Sequence, residues 1–460
     1  MDLGILTLLP IAVLFILIFS TKRMLLSLTV ASLVGSVLLG GITGFASTWL
    51  TKVQEAFTAG TVGYLFLLLA LFGILIALLD SSGAVTEFAS WLSRYANTKK
   101  KTLFITYILG LAIFVDDYLN NMAISTAMKK VSDSHKIPRT FLGYIVNSTG
   151  ATDCVLIPIS TWAVFYSGLF KEFGVTVNGS GTHAYFAAIP YMFYPWITLI
   201  VLVLVVLGVI PKIGIIKKHD KIAEETGVVC PIDVSLDGVE IQAPDFALIF
   251  GSENKAKPWN FLIPLVVLVA VTILTDINVM VGCMAGIAVT GILMLSQRKI
   301  KLTEIFDSAY QGVLSMVMIC AIIAMALTLV QINTATGMSD FVVSILKPIL
   351  SGSLLPAIVF AFCAVYSFFG GGFWDMSMIF MPIVVPLANA LGVDPLLPCA
   401  ALVCAAVAGS NTYVCGDAIM ITSRALDIKP YYQMLGTLPY AIISYVLAIV
   451  CFIIAGVANL

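Results

Sequence analysis

Two carboxylates and two carboxamides, Asp116, Asp117, Asn120 and Asn121, stand inside a stretch that is otherwise apolar. Apolar residues run up to them from Leu103 and continue beyond them from Met122 to Met128. An ionised side chain at the centre of a bilayer costs about 2.5–3.5 kcal/mol on insertion scales, so such residues face a cavity, an ion or a partner. On a helix, Asp116–Asn120 and Asp117–Asn121 are i,i+4 pairs, each placing a carboxylate and a carboxamide on one face. These hard oxygens suit sodium, and a carboxylate there can also carry a proton. The competing reading is a capped helix start with a structural hydrogen bond.

Three further polar interruptions fall in apolar runs. Asn147-Ser148-Thr149 and the following Gly150-Ala151-Thr152-Asp153 interrupt residues 140–169. Gly409-Ser410-Asn411-Thr412 interrupt residues 396–422, with Asp417 just beyond. Residues 353–391 carry Gly370-Gly371-Gly372-Phe373-Trp374-Asp375 at their middle. Polar residues with Gly at mid-depth predict unwound backbone, tolerable only where it lines a cavity or is buried in protein. Gly371 and Gly372 let backbone approach a ligand, Trp374 can stack on a cation, and Asp153, Asp375 and Asp417 can bind one. Asp117, Asn120, Asn147, Ser410 and Asn411 are the candidate sodium ligands. Against these stand helix-packing polar contacts for the Asn, Ser and Thr side chains and water-exposed helix caps for the acids.

The elements that must position these residues follow from charge and length. Arg94, Lys99, Lys100 and Lys101 precede the Asp116 stretch, and Lys129, Lys130, Lys136 and Arg139 follow it. If both basic clusters stay cytoplasmic, the chain enters and returns on one side. Each arm, 102–114 and 119–131, is also shorter than the roughly 20 residues of a full span. The expectation is a re-entrant hairpin with Asp116 and Asp117 near its tip; the alternative is one helix with a polar kink. A second hairpin is expected over 353–391.

Landmarks recur at a nearly constant offset: Ser82-Gly83 with Thr336-Gly337, the two hairpins, the two broken spans, and Ile189-Pro190-Tyr191 with Leu438-Pro439-Tyr440. This predicts two repeats, residues 1–210 and 259–460, joined by a cytoplasmic linker over 211–258. The linker is expected to hold at most a small hairpin and no chemistry. Five spans and one hairpin per repeat make the second repeat inverted. The basic residues support this, since of the 24 Lys and Arg only Lys52, Lys171 and Lys347 then fall outside. In this reading residues 24–46 are one span, Asp417 falls in the place of Asp153, and both termini lie outside.

The 460 residues are 60% hydrophobic and 11% charged, which makes the chain an all-α polytopic membrane protein. The net charge of −1 points to no nucleic-acid partner. Without a GxxxxGK[ST] stretch, ATP-driven transport is not expected. Nine scattered Cys form no CxxC pair, and His135, His183 and His219 all fall in connections, so neither a metal cofactor nor an enzyme is expected.

The run Asp116-Asp117-Tyr118-Leu119-Asn120, then Asn147-Ser148-Thr149-Gly150-Ala151 and Cys154 to Ala163, closely resembles the NhaC family of sodium/proton antiporters, part of the broader ion transporter superfamily. The resemblance implies inverted repeats, two re-entrant hairpins, a homodimer, and a transport part that moves as an elevator in an inner membrane. The second half departs from the family's Gly-Asp-His run, reading Gly409-Ser410-Asn411-Thr412-Tyr413-Val414-Cys415-Gly416-Asp417 instead. The expected function is cation-coupled secondary transport, leaning to sodium/proton antiport. The alternative is coupled transport of a small amine-bearing solute such as an amino acid, which the extra acids beside an aromatic would suit.

Overall fold

The computed structural model describes residues 3–21, 23–58, 61–236, 257–276, 278–297, 301–370 and 373–458. Gly371, Gly372 and the side chains of Trp374 and Asp375 lie outside the described residues, as does most of the second part of the linker. The first half is built from α1 (Leu9–Thr21), α2 (Met24–Thr58), α3 (Thr61–Ser81), α4 (Ala84–Ser93), α5 (Lys99–Ala112), α6 (Asp117–Ser134), α7 (Arg139–Leu156), α8 (Thr161–Glu172), α9 (Gly181–Ala188) and α10 (Phe193–Leu207). Helix α11 (Gly214–Thr226) belongs to the linker. The second half runs α12 (Trp259–Leu274), α13 (Val279–Ser296), α14 (Leu302–Thr336), α15 (Met338–Leu346), α16 (Leu355–Gly370), α17 (Phe373–Leu391), α18 (Leu396–Thr412), α19 (Asp417–Leu426) and α20 (Pro430–Val457).

Seven of these helices are long and apolar enough to cross a membrane, or up to nine if each of two bent pairs counts as one span. The bent pairs are α7 with α8, at 43°, and the α9 region with α10, at 48°. Each of the ten expected spans has a helical counterpart, although α1 and α12 are short. Ile42, Leu274, Phe306 and Phe369 expose most of their surface, as side chains facing lipid do.

Two expectations about span boundaries need correction. Residues 24–46 are not one continuous helix. Gly41 takes φ 65 and ψ −178 inside α2, a backbone state that glycine adopts without the Cβ penalty. The chain turns there, and Trp49 donates its indole N–H to Ser32 Oγ at 2.8 Å. Nor do Asn147–Thr149 or Gly409–Thr412 break their helices. Helix α7 continues to Leu156, and the break covers Ile157 to Ser160. Pro158 lacks an N–H and pushes Ile157 into extended backbone, while Ser160 caps α8 by accepting from Ala163 N at 3.0 Å. In the second half α18 continues to Thr412 and the break covers Tyr413 to Gly416. Asp417 therefore begins the helix after its break, whereas Asp153 lies in the helix before its break, so the two positions do not correspond.

The Asp116 stretch is a hairpin. At its base Thr102 Oγ1 of α5 lies 3.5 Å from His135 Nδ1 just after α6. At its tip Asn120 Nδ2 of α6 donates to Gly110 O at 2.7 Å and Ile113 O at 2.9 Å. The two arms thus run antiparallel and meet at both ends. Helices α16 and α17 do the same: a Cβ on Gly352 would come 2.7 Å from Val393 Cγ1, and Ser367 Oγ near the tip donates to Met376 Sδ at 3.0 Å. Single cysteines at positions 100 and 130, in a cysteine-free background, should react with an impermeant maleimide from the same face of intact vesicles. Labelling from opposite faces would mean that the arms cross the membrane.

Helices α3 and α14 cross at the two glycines Gly73 and Gly312. A Cβ on Gly73 would sit 2.2 Å from Gly312 O, and one on Gly312 would sit 2.3 Å from Gly73 O. Backbone therefore lies on backbone. At the end of the molecule that holds the hairpin base, α11 is tied down by Lys99, which bonds Asp220 at 2.9 Å and Glu224 at 2.8 Å, and by His219 beside Thr140 Oγ1 at 3.1 Å. Asp427, after α19, receives Lys129 and Arg139, and Arg139 also donates to Leu426 O at 3.1 Å. Linker residue Ser235 pairs with Ile428 in an isolated bridge.

Candidate ion-binding site

The site grows from the hairpin tip. Asp116 takes extended backbone (φ −155, ψ 138) and caps α6, its Oδ1 accepting from Tyr118 N at 3.0 Å and Leu119 N at 3.1 Å. Its Oδ2 accepts from Thr161 Oγ1 at 3.1 Å, at the start of α8. The tip backbone is pinned to the α7–α8 break as well: Thr161 N donates to Val115 O at 3.1 Å, and Cys154 Sγ to Phe114 O at 3.1 Å. On the other side Tyr118 OH donates to Asp417 Oδ2 at 2.9 Å, in the first turn of α19. Three helix N-termini, those of α6, α8 and α19, thus converge on one group of carboxylates, with their positive dipole ends towards it.

Within this arrangement Asp116 and Asn120 are bound up in holding the hairpin. Asn120 keeps one free acceptor, since its Oδ1 is buried without a partner. Asp117 is different. It is 1% exposed, and both its oxygens are shut off from solvent with no hydrogen bond of ordinary geometry, although the Trp162 indole acts on it as a donor. Asp153, 2% exposed in the last turn of α7, also has two unpartnered oxygens. Asp116, Asp153 and Asp417 all lie within electrostatic range of Asp117. Asn121 is fully buried, with neither polar side-chain atom paired, and it rests on Gly150: a Cβ there would meet Asn121 Oδ1 at 2.5 Å.

A second polar group lies further back along α7. Asn147 Nδ2 donates to Asn411 O at 2.8 Å, and Asn411 Nδ2 donates to Thr152 Oγ1 at 3.2 Å and Tyr194 OH at 3.4 Å. The side-chain oxygens of Asn147, Ser148, Ser410 and Asn411 are buried and unpartnered. Thr149 and Thr412 instead turn back to their own helices, Thr149 Oγ1 to Val146 O at 3.0 Å and Thr412 Oγ1 to Ala408 O at 2.7 Å. Six residues of α7 separate Asn147 from Asp153, a rise of about 9 Å, so one helix lines both groups.

Tyr118, Thr152 and Tyr194 were not singled out in the sequence, yet they join these groups. Tyr118 had a signal, as it sits inside the Asp116–Asn121 run. Tyr194 had none, because its place depends on how α10 packs against α18. Asp80 was also passed over. It is 7% exposed at the end of α3, with Oδ2 unpartnered.

Buried carboxylates without a counter-charge are strongly unfavourable. The only basic side chain buried among the described residues is His219, in the linker helix. The side-chain oxygens of these carboxylates, carboxamides and hydroxyls fit a small cation or a proton.

Apolar spans, hairpins, helices broken in mid-course and a buried acidic centre together describe a multi-pass membrane transporter. Residues 153–457 match the model of the Na+/H+ antiporter family, and the chain belongs to that family. It is a secondary transporter. An uncharacterised protein of Haemophilus influenzae is 25% identical over 94% of this chain and 87% of its own. Among solved structures, the YdaH transporter of Alcanivorax borkumensis superposes with a TM-score of 0.61 at 13% identity, over 88% of this chain and 87% of that one. MtrF of Neisseria gonorrhoeae, described as illuminating a class of antimetabolite efflux pumps, gives 0.60 at 15% identity over 97% and 94%. These two likenesses concern the fold.

Proposed function

We propose that the protein exchanges sodium for protons across the inner membrane, with both ions using the carboxylates around Asp117. The observation that carries this reading is the pair of buried carboxylates Asp117 and Asp153, neither with a cation beside it among the described residues. They need a positive charge, and exchanging sodium for protons on the same oxygens links the two fluxes. The close crossing of α3 and α14 supports a static part, against which the hairpins and broken helices slide as an elevator. The basic clusters at Lys99 and Lys129 support an inside-facing base for the first hairpin. In proteoliposomes, an imposed pH gradient should drive sodium uptake, and a sodium gradient should move protons the opposite way. Absence of both fluxes from active, sealed vesicles would remove the proposal.

A second reading has one observation behind it: four carboxylates exceed what one sodium ion neutralises. Asp153 and Asp417 then serve the ammonium of an organic solute. Asp153→Asn and Asp417→Asn are each expected to weaken binding of such an amine by roughly tenfold, the value of one charge-assisted contact, and to spare sodium. Unchanged kinetics for every amine in an amino-acid panel would leave plain cation exchange.

A further inference from the structure

A narrow cavity of about 60 Å³ separates α3 and α14 from the first hairpin. It is lined along α3 from Leu69 to Asp80, which at 1.5 Å per residue is a length of about 16 Å. Asp116, Tyr118 and Thr161 line it at the hairpin tip, while Met122 and Met316 are among its apolar walls. Asp80 lines it at the end of α3, where Ser81, Ser82 and Gly83 turn the chain towards α4. The volume is large enough for a few waters, and the polar groups that could hold them are those at the tip, Ser315 and Asp80.

Asp80 is the unsatisfied group of this cavity. Asp116 spends its oxygens on Tyr118, Leu119 and Thr161, whereas Asp80 Oδ2 is buried without a partner. Among the described residues, no counter-charge reaches it. The titratable groups that share its cavity are Asp116 and Tyr118. Among the helices packed on α3, α13 carries no charged residue, Glu304 and Asp307 of α14 are exposed, and Glu87 of α4 is half-buried. Lys171 of α8 lies over Tyr64, at the opposite end of α3. Lys52 of α2 is paired with Glu55.

We propose that Asp80 is a proton-binding site at the mouth of this cavity, which hands protons between solvent and the carboxylates of the hairpin tip. A carboxylate that is buried with no cation beside it holds a proton, and the cavity water offers that proton a path to Asp116. The proton arrives from water, resides on Asp80, and leaves through the same short water chain. The inference extends the antiport reading, since it names the group through which that site exchanges its protons.

The test uses the full chain in proteoliposomes together with pH-difference infrared spectra. Asp80→Asn should lower proton-driven sodium flux by roughly 100-fold, as expected when a positioned proton carrier is lost, while sodium–sodium exchange continues. Asp80→Glu should restore most of the flux with a displaced pH profile. In the infrared spectra, the protonated-carboxyl C=O band of the wild type should lose one component in Asp80→Asn and shift in Asp80→Glu. Spectra with that band intact in Asp80→Asn overturn the proposal, as does equal loss of both fluxes without rescue by Glu. Should the wild type move no sodium against protons but show the Asp80 band, the antiport reading falls and the proton site stands.

Discussion

Asp117→Asn is expected to abolish coupled transport while leaving the protein folded. The substitution keeps shape and volume and removes one buried charge. Asn keeps one side-chain oxygen that can still accept from the Trp162 indole, and an amide is easier to bury than a carboxylate. What is lost is the attraction for the transported cation. A contact to a charged group contributes about 1.5–3 kcal/mol, which corresponds to roughly 10–100-fold in affinity. Exchange also requires the group to accept a proton, which an amide does not, so turnover should fall further than affinity. The measurement is sodium-dependent flux in proteoliposomes alongside a thermal melt of the detergent-solubilised protein. Normal sodium dependence and turnover in Asp117→Asn would place the transported cation elsewhere.

The second large effect concerns stability. Gly312→Ala puts a methyl group 2.3 Å from Gly73 O and 2.6 Å from Gly73 C, where nothing flexible can move aside. Helices α3 and α14 must separate or shift along each other. Overpacking of this kind costs about 1–3 kcal/mol, and Gly73→Ala should behave alike, with Gly312 O at 2.2 Å. Gly291→Ala in α13 is the control. No atom outside its own helix backbone lies within 4 Å of that Cβ, and replacing a mid-helix Gly with Ala is favourable by about 0.5–1 kcal/mol. Melting temperatures should therefore move in opposite directions. Equal melting temperatures for Gly312→Ala and the wild type would mean that the crossing is looser than the geometry shows.

The first hairpin was legible because two independent signals agreed: basic clusters on both flanks and arms too short to span. Its polar tip was legible as well, since Asp116 to Asn121 cannot rest in lipid. The positions of the two helix breaks were not. Asn147, Ser148 and Thr149 look like a breaker in one dimension, yet they remain helical because neighbouring helices fit against that face. A Cβ on Gly110 would meet Thr149 Oγ1 at 2.3 Å, and Asn147 reaches Asn411 across the molecule. Polar side chains at a tight helix–helix seam and polar side chains at an unwound turn have the same composition. The real first break was marked by Pro158 and the Ser160 cap, weaker punctuation that a longer polar run overshadowed. Asp80 was overlooked for a similar reason. At the end of a span, beside Ser81, Ser82 and Gly83, it reads as a wet helix terminus. The cavity that it shares with a hairpin more than thirty residues away and with α14 comes from tertiary packing, which the local sequence does not show.

The ties of Lys129 and Arg139 to Asp427 bear on the order in which the chain is completed. Arg139 and Asp427 are 288 residues apart, so at about 5–20 residues per second the ribosome needs roughly 15–60 s to supply the second after the first. Through that interval Lys129 waits for Asp427, Arg139 has Asp133 alone as its carboxylate partner, and the α19 contact to Tyr118 is still missing. The turn between α19 and α20 therefore works as a latch that shuts long after the hairpin is made. Until it shuts, the first hairpin lacks its ties to α19, and a chain cut short before Asp427 would be largely inserted and not yet assembled.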